Sequence, residues 1–220
     1  MRIANNILKN SLTNVYFLTG TACGGKTTMA RALCAKHGFA HFNDNWHEDT
    51  FAAWLALCDE RYQPKSTKRN NDDDWEAYFS RSVEEFLAAD AEAGDDEYLE
   101  YSIIELIKLS QRVTVVADVW IKDTGLLTEL ADRGRIACLL APGDLIIRDY
   151  YQREDHREFY ECIMRLTEPE RKLATQNELF RINAKQMLAD ARRYGLFYIM
   201  RDDDSTVEGT LKQLEAHFGL

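Results

Sequence analysis

The chain has 220 residues, 45% of them hydrophobic, which is enough for one sizeable core and for one domain carrying a large insertion. Asp and Glu number 37 against 27 Lys and Arg, a formal charge of −10 that disfavours duplex nucleic acid or an anionic membrane as the main partner. Five cysteines (Cys23, Cys34, Cys58, Cys138, Cys162) follow no metal-ligand or disulfide-framework spacing, and no apolar run is long enough for a signal peptide or a membrane span. A cytoplasmic protein with reduced thiols is the expectation.

Val15-Tyr16-Phe17-Leu18 is an apolar run that stops at Gly20, the pattern of a strand buried on both faces of a parallel sheet. From Lys26 the spacing turns helical, with Met29, Ala30, Leu33 and Cys34 on one stripe and Gly38 placed as a C-terminal cap. Residues 39–42 predict a second strand that ends in the turn-forming Asn43-Asp44-Asn45. Between Trp46 and Gln111 the apolar residues recur at helical spacing: Phe51, Trp54, Leu55 and Cys58, then Trp75, Tyr78, Phe79 and Phe86, then Leu99, Ile103, Leu106 and Ile107. This predicts an insertion of helices, with an exposed polar connection over 64–74 and a break at Gly94-Asp95-Asp96. Val113 to Ala117, ending at Asp118, predicts a third strand; residues 135–140 and 196–200 predict a fourth and a fifth. A long helical stretch over about 144–194 separates the last two, and a helix over about 206–218 closes the chain. Such alternation implies a parallel sheet with helices on both faces and ligands at the carboxyl ends of the strands.

Gly20-Thr21-Ala22-Cys23-Gly24-Gly25-Lys26-Thr27 fills the pattern G-x-x-x-x-G-K-[ST] completely, between a strand and an amphipathic helix. Glycines there let the backbone wrap an anion, the amides and the helix N-terminus attract phosphate, and the lysine bridges the β- and γ-phosphates. The loop, with Thr28 after it, is therefore expected to bind a nucleoside triphosphate, most simply MgATP. Thr27 would place its hydroxyl on Mg²⁺, and Asp118 is the natural acidic partner for the same ion, although a strand-terminal Asp can also simply cap a turn. Cys23 occupies a position where the backbone does the work. Asp44 follows strand 2 on the same rim and could take a proton from an acceptor hydroxyl; an Asn-Asp-Asn turn would give the same letters. Arg153 and Arg157, four apart, could neutralise a transferring phosphoryl group, or could belong to a solvated helix laced with ion pairs.

Taken together, the loop, the helical insertion, Asp118 and the arginine-bearing segment resemble the nucleoside monophosphate kinase-like family of P-loop kinases, which includes nucleotide, shikimate and gluconate kinases. The resemblance implies an α/β P-loop NTPase fold of three layers with a five-stranded parallel sheet. Its core would span residues 1–45 and 112–220, with an acceptor-binding insertion at 46–111 and a lid at about 148–165. It also implies that Arg148 lies against the adenine, that Arg153 and Arg157 reach the phosphates, and that the segment from Arg201 to Thr206 completes the base pocket. Val119-Trp120-Ile121 replaces the D-G-F-P-R run usual in nucleotide kinases of this type, and the glycine triplet of shikimate kinases is missing at that strand end. An ATP-dependent kinase acting on a hydroxylated metabolite or a nucleoside is the expected function, since the acidic insertion disfavours an acceptor with several phosphates. A nucleoside monophosphate kinase is the nearest alternative, and a regulatory or assembly ATPase is the alternative of another class. A GTPase switch lacks its D-x-x-G and N-K-x-D motifs here. Oligomeric state is not legible in the sequence.

Overall fold

The computed structural model describes residues 5–43, 72–93, 96–119, 121 and 124–220. Five parallel strands, β1 (Val15–Gly20), β2 (Ala40–Asn43), β3 (Val115–Asp118), β4 (Ile136–Leu140) and β5 (Phe197–Met200), lie in the order β2-β3-β1-β4-β5. The three inner strands are buried at every position, as their unbroken apolar runs require, while the edge strands β2 and β5 are mostly half-buried.

Alternate residues serve opposite faces. Val15, Phe17, Val115, Ala117, Ile136 and Cys138 pack with Leu106, Leu127, Leu130, Met187 and Ala191, which come from α5 (Asp96–Ser110), α6 (Thr124–Leu130) and α9 (Pro169–Arg193). Tyr16, Leu18, Val116, Ala137 and Leu139 pack on the other face with Met29, Ala30 and Leu33 of α2 (Lys26–His37) and with Leu214 and Phe218 of α10 (Val207–Phe218). The predicted three-layer architecture with its five parallel strands is what the structure contains.

Parallel register sets Asn43, Asp118, Leu18 and Ala137 in one row across the sheet, and β1 runs two residues further to Gly20, opposite Leu139. From β1 the chain leaves through α2 toward β2, whereas from β4 it leaves toward β5. The crevice between β1 and β4 is thus a topological switch point, where open α/β sheets hold their ligands.

Several local expectations need correction. Two seven-residue helices, α1 (Asn5–Ser11) and α6, were not predicted, because two turns are too few to display a period. The long helical stretch after β4 is divided into α7 (Gly143–Tyr150), a 3₁₀ turn (Glu154–His156), α8 (Arg157–Arg165) and α9. The last break occurs where Glu168 takes a left-handed φ of 46° and Pro169 opens the next helix. The acidic end of the segment expected to be a connection, Asp72 to Asp74, instead starts α3 (Asp72–Phe79), while 64–71 lies outside the described residues. Helix α4 (Val83–Ala93) follows, opened by a capping box in which Ser82 N–H donates to Glu85 Oε2 at 2.7 Å and Glu85 N–H donates to Ser82 Oγ at 3.2 Å. Of the proposed insertion, 46–71 likewise lies outside the described residues.

Helix α3 is docked onto the segment after β4. Fully buried Phe79 packs with Ile163 and Leu166, stacks on Trp75 at 5.6 Å and meets Phe159 edge-on at 5.4 Å. Beside this apolar contact Lys172, with no exposed surface, donates to Glu76 Oε1 at 2.6 Å, to Thr167 Oγ1 at 3.0 Å and to the Thr167 carbonyl. The Thr167 amide donates to Glu76 Oε2 at 3.0 Å, so the buried ammonium and its carboxylate are fully hydrogen-bonded. Lys172 first, and then the Thr167 hydroxyl, hold the Glu76 carboxyl at about 2, against an ordinary 4.5. Because the folded value lies below the unfolded one, this contribution is complete above pH 4.5 and is lost as the pH falls toward 2. Thermal melts from about pH 6 down to about pH 3 should therefore fall more steeply for the wild type than for Glu76→Gln, which should melt lower at neutral pH. Equal slopes would remove Glu76 from the acid response.

Candidate functional site

The glycine loop is built onto the backbone of β4. A Cβ at Gly20 would lie 1.9 Å from the Leu139 carbonyl oxygen and one at Gly24 would lie 2.2 Å from it, so both positions admit only hydrogen. The contact is completed by Thr21, whose amide donates to Leu139 O at 3.1 Å and whose hydroxyl accepts from the Ala141 amide at 2.7 Å. Gly25 takes φ 94° as the N-cap of α2, and among the described residues no side chain caps that helix. Its first-turn amides thus retain the anion-binding capacity of a helix N-terminus. Cys23 adopts φ 57°, a left-handed conformation that costs a non-glycine residue about 1 kcal/mol. Lys26 reaches back over the loop, its ammonium donating to Thr21 O at 3.1 Å and to Gly20 O at 3.4 Å.

Opposite the loop, α7 and the turn after it close a cleft of about 470 Å³ lined by Cys23, Gly25, Thr28, Asp149, Arg153 and Arg201, among others. Arg153 sits against the Cys23 thiol and binds Asp155 through Nε at 2.9 Å. Burial raises the Cys23 thiol above its ordinary range, with Arg153 opposing the rise, so the sulfur stays protonated and poorly nucleophilic. Arg148 pairs with Asp149 at 2.7 Å and with Asp203 at 2.8 Å, joining the end of α7 to the turn after β5. Arg157 is the second arginine expected to reach the phosphates. It lies on α8 with its side chain 76% exposed, pairs with Glu161 at 3.1 Å, and does not line the cleft. Its spacing from Arg153 carried no shared helical face, because the 3₁₀ turn separates the two.

Asp118 ends β3 with its carboxylate buried, level with Leu18 and hence just below the loop. His41 of β2 brings Nε2 to 3.7 Å from Asp118 Oδ2, and that buried nitrogen has no hydrogen-bond partner among the described residues. This neighbour was not anticipated, since only the β2-β3 register reveals it. Asp44, the candidate base, lies outside the described residues. A second cleft of about 470 Å³, between the edge strand β2 and the end of α5, contains none of the loop residues. Among the described residues no helix is long and apolar enough to cross a membrane.

No protein-family model and no curated protein matches the chain. Among solved structures it is similar to shikimate kinase from Bacteroides thetaiotaomicron, with 15% identity over 94% of this chain and 98% of that one and a TM-score of 0.48. It is also similar to shikimate kinase from Acinetobacter baumannii in complex with shikimate, with 14% identity over 98% of this chain and 97% of that one and a TM-score of 0.46.

Proposed function

We propose that this protein is an ATP-dependent kinase that transfers the γ-phosphoryl group of MgATP to a small hydroxylated acceptor. The observation that carries the reading is the meeting, at one switch-point crevice, of a glycine loop seated on Leu139, an uncapped helix N-terminus, Lys26 and Arg153. Donors so gathered suit a polyphosphate, and Lys26 and Arg153 offer cations to the charge that spreads on a transferring phosphoryl group.

In the transfer, the acceptor oxygen bonds to the γ-phosphorus as the bond to the β–γ bridging oxygen breaks, ADP leaves with that electron pair, and the hydroxyl proton passes to a base. Asp44 is the candidate for that base. Lys26 would follow the γ-phosphate, trading its two loop carbonyls for phosphate oxygens. Arg153 would leave Asp155 for the same charge. Thr27 and Asp118 offer a hydroxyl and a buried carboxylate, the hard oxygen donors that Mg²⁺ prefers, and Mg²⁺ bound there would neutralise phosphate charge. Arg157 is left out of this set and is assigned to the surface of α8.

The test is acceptor-dependent ADP release from MgATP across a panel of nucleosides, nucleoside monophosphates, sugars and hydroxy acids. One acceptor class should raise turnover well above the slow background hydrolysis. If no small molecule does so while a protein partner does, the kinase reading gives way to an assembly ATPase.

A further inference from the structure

An anion-binding loop turns its amides toward the ligand and must therefore turn its carbonyls away, where each needs a donor of its own. In this loop Thr21 O accepts from Gly24 N–H at 3.3 Å and from Lys26, and Gly25 O accepts from Met29 N–H at 2.9 Å inside α2. The Cys23 carbonyl, at the residue with the left-handed φ, is held differently. It accepts from Arg201 Nη1 at 2.6 Å, across 178 positions of sequence.

Arg201 is well placed to act as a fixed brace. Its amide donates to Leu140 O at 2.7 Å, continuing the β4-β5 ladder, so its Cα is anchored at the sheet edge that also supports Thr21 through Leu139 and Ala141. Its second nitrogen, Nη2, binds Asp149 Oδ2 at 3.2 Å, and Asp149 is itself held by Arg148. With one arm on a carboxylate and the other on the loop, the planar guanidinium has little rotational freedom left.

We infer that Arg201 is a positioning residue of the phosphate loop, one that holds the Cys23 carbonyl turned out of the anion cradle. This differs from a base-pocket role, the role the resemblance implies for the segment it opens, and it rests on the nucleotide reading above. The two roles separate by phosphate number. A brace on the loop changes what the β- and γ-phosphates gain in binding and leaves the nucleoside moiety alone, whereas a base contact changes every nucleoside ligand alike.

The experiment is calorimetric titration of adenosine, AMP, ADP and a non-hydrolysable ATP analogue, with Mg²⁺, into the wild type, Arg201→Ala and Arg201→Lys. Arg201→Ala should weaken ADP and the ATP analogue about tenfold, as expected for loss of one charge-assisted hydrogen bond. Adenosine should bind as in the wild type. Arg201→Lys, whose single ammonium can reach only one of the two partners, should show a smaller loss confined to the same two ligands, and it serves as the test if the alanine variant does not fold. Equal losses for adenosine and ADP would overturn the inference in favour of a base contact, and unchanged affinities throughout would reduce Arg201 to a surface ion pair. A wild type that binds adenosine and the ATP analogue equally would overturn the nucleotide reading together with this one.

Discussion

Replacing Lys26 with alanine is expected to lower kcat by about 10²- to 10³-fold or more while the protein stays folded. The ammonium is half-buried and donates to the carbonyls of Gly20 and Thr21. Thr21 O keeps its bond from the Gly24 amide in the variant, and the expected loss of stability is about 1 kcal/mol. Catalysis has no such substitute, because the charge that spreads over the phosphoryl oxygens loses a cation placed to meet it. Turnover and thermal melts of the same preparation separate the two effects. A variant that turns over at the wild-type rate would mean that the loop does not handle the transferred phosphate.

A large structural effect is expected at Gly24. An alanine there would put Cβ 2.2 Å from the Leu139 carbonyl oxygen and 2.7 Å from its carbon, and both obstacles are backbone of a fully buried central strand. Neither can step aside as a flexible side chain would, so the loop must lift from β4, breaking the Thr21-Leu139 and Ala141-Thr21 hydrogen bonds. A destabilisation of about 3 kcal/mol or more follows from overpacking together with these lost bonds. Nucleotide affinity should collapse with it. Denaturant titration of Gly24→Ala measures the first effect and calorimetry the second. By contrast, a Cβ at Gly25 meets nothing within 4 Å, and what restricts that position is its φ of 94° alone.

These two positions also show how sequence and structure divide the information. The motif names Gly20, Gly25 and Lys26 because phosphate chemistry constrains their spacing, and the strand and helix around it follow from periodicity. Gly24 fills a position the motif leaves open, and its necessity comes from Leu139, more than a hundred residues away. The same holds for Arg201 on Cys23 and for His41 beside Asp118, contacts set by strand order and register that no local pattern encodes. Five strands were legible because each is an apolar run bounded by turn residues. The breaks after Tyr150 and Arg165 were hidden because the amphipathic spacing continues through them, and Arg157 was grouped with Arg153 for that reason. The docking of α3 on α8 was equally hidden: the aromatic stripe at Trp75, Tyr78 and Phe79 announces a buried face without saying what buries it.

Whether the loop from Gly20 to Thr27 holds the triphosphate of the phosphoryl donor is decided by a crystal structure with a non-hydrolysable ATP analogue and Mg²⁺. The β- and γ-phosphates are expected inside the loop, with Lys26 Nζ moved from the Gly20 and Thr21 carbonyls onto phosphate oxygen and the metal on the Thr27 hydroxyl on the side of Asp118. An analogue bound outside the loop, or one whose phosphates leave Lys26 on its two carbonyls, would contradict this placement.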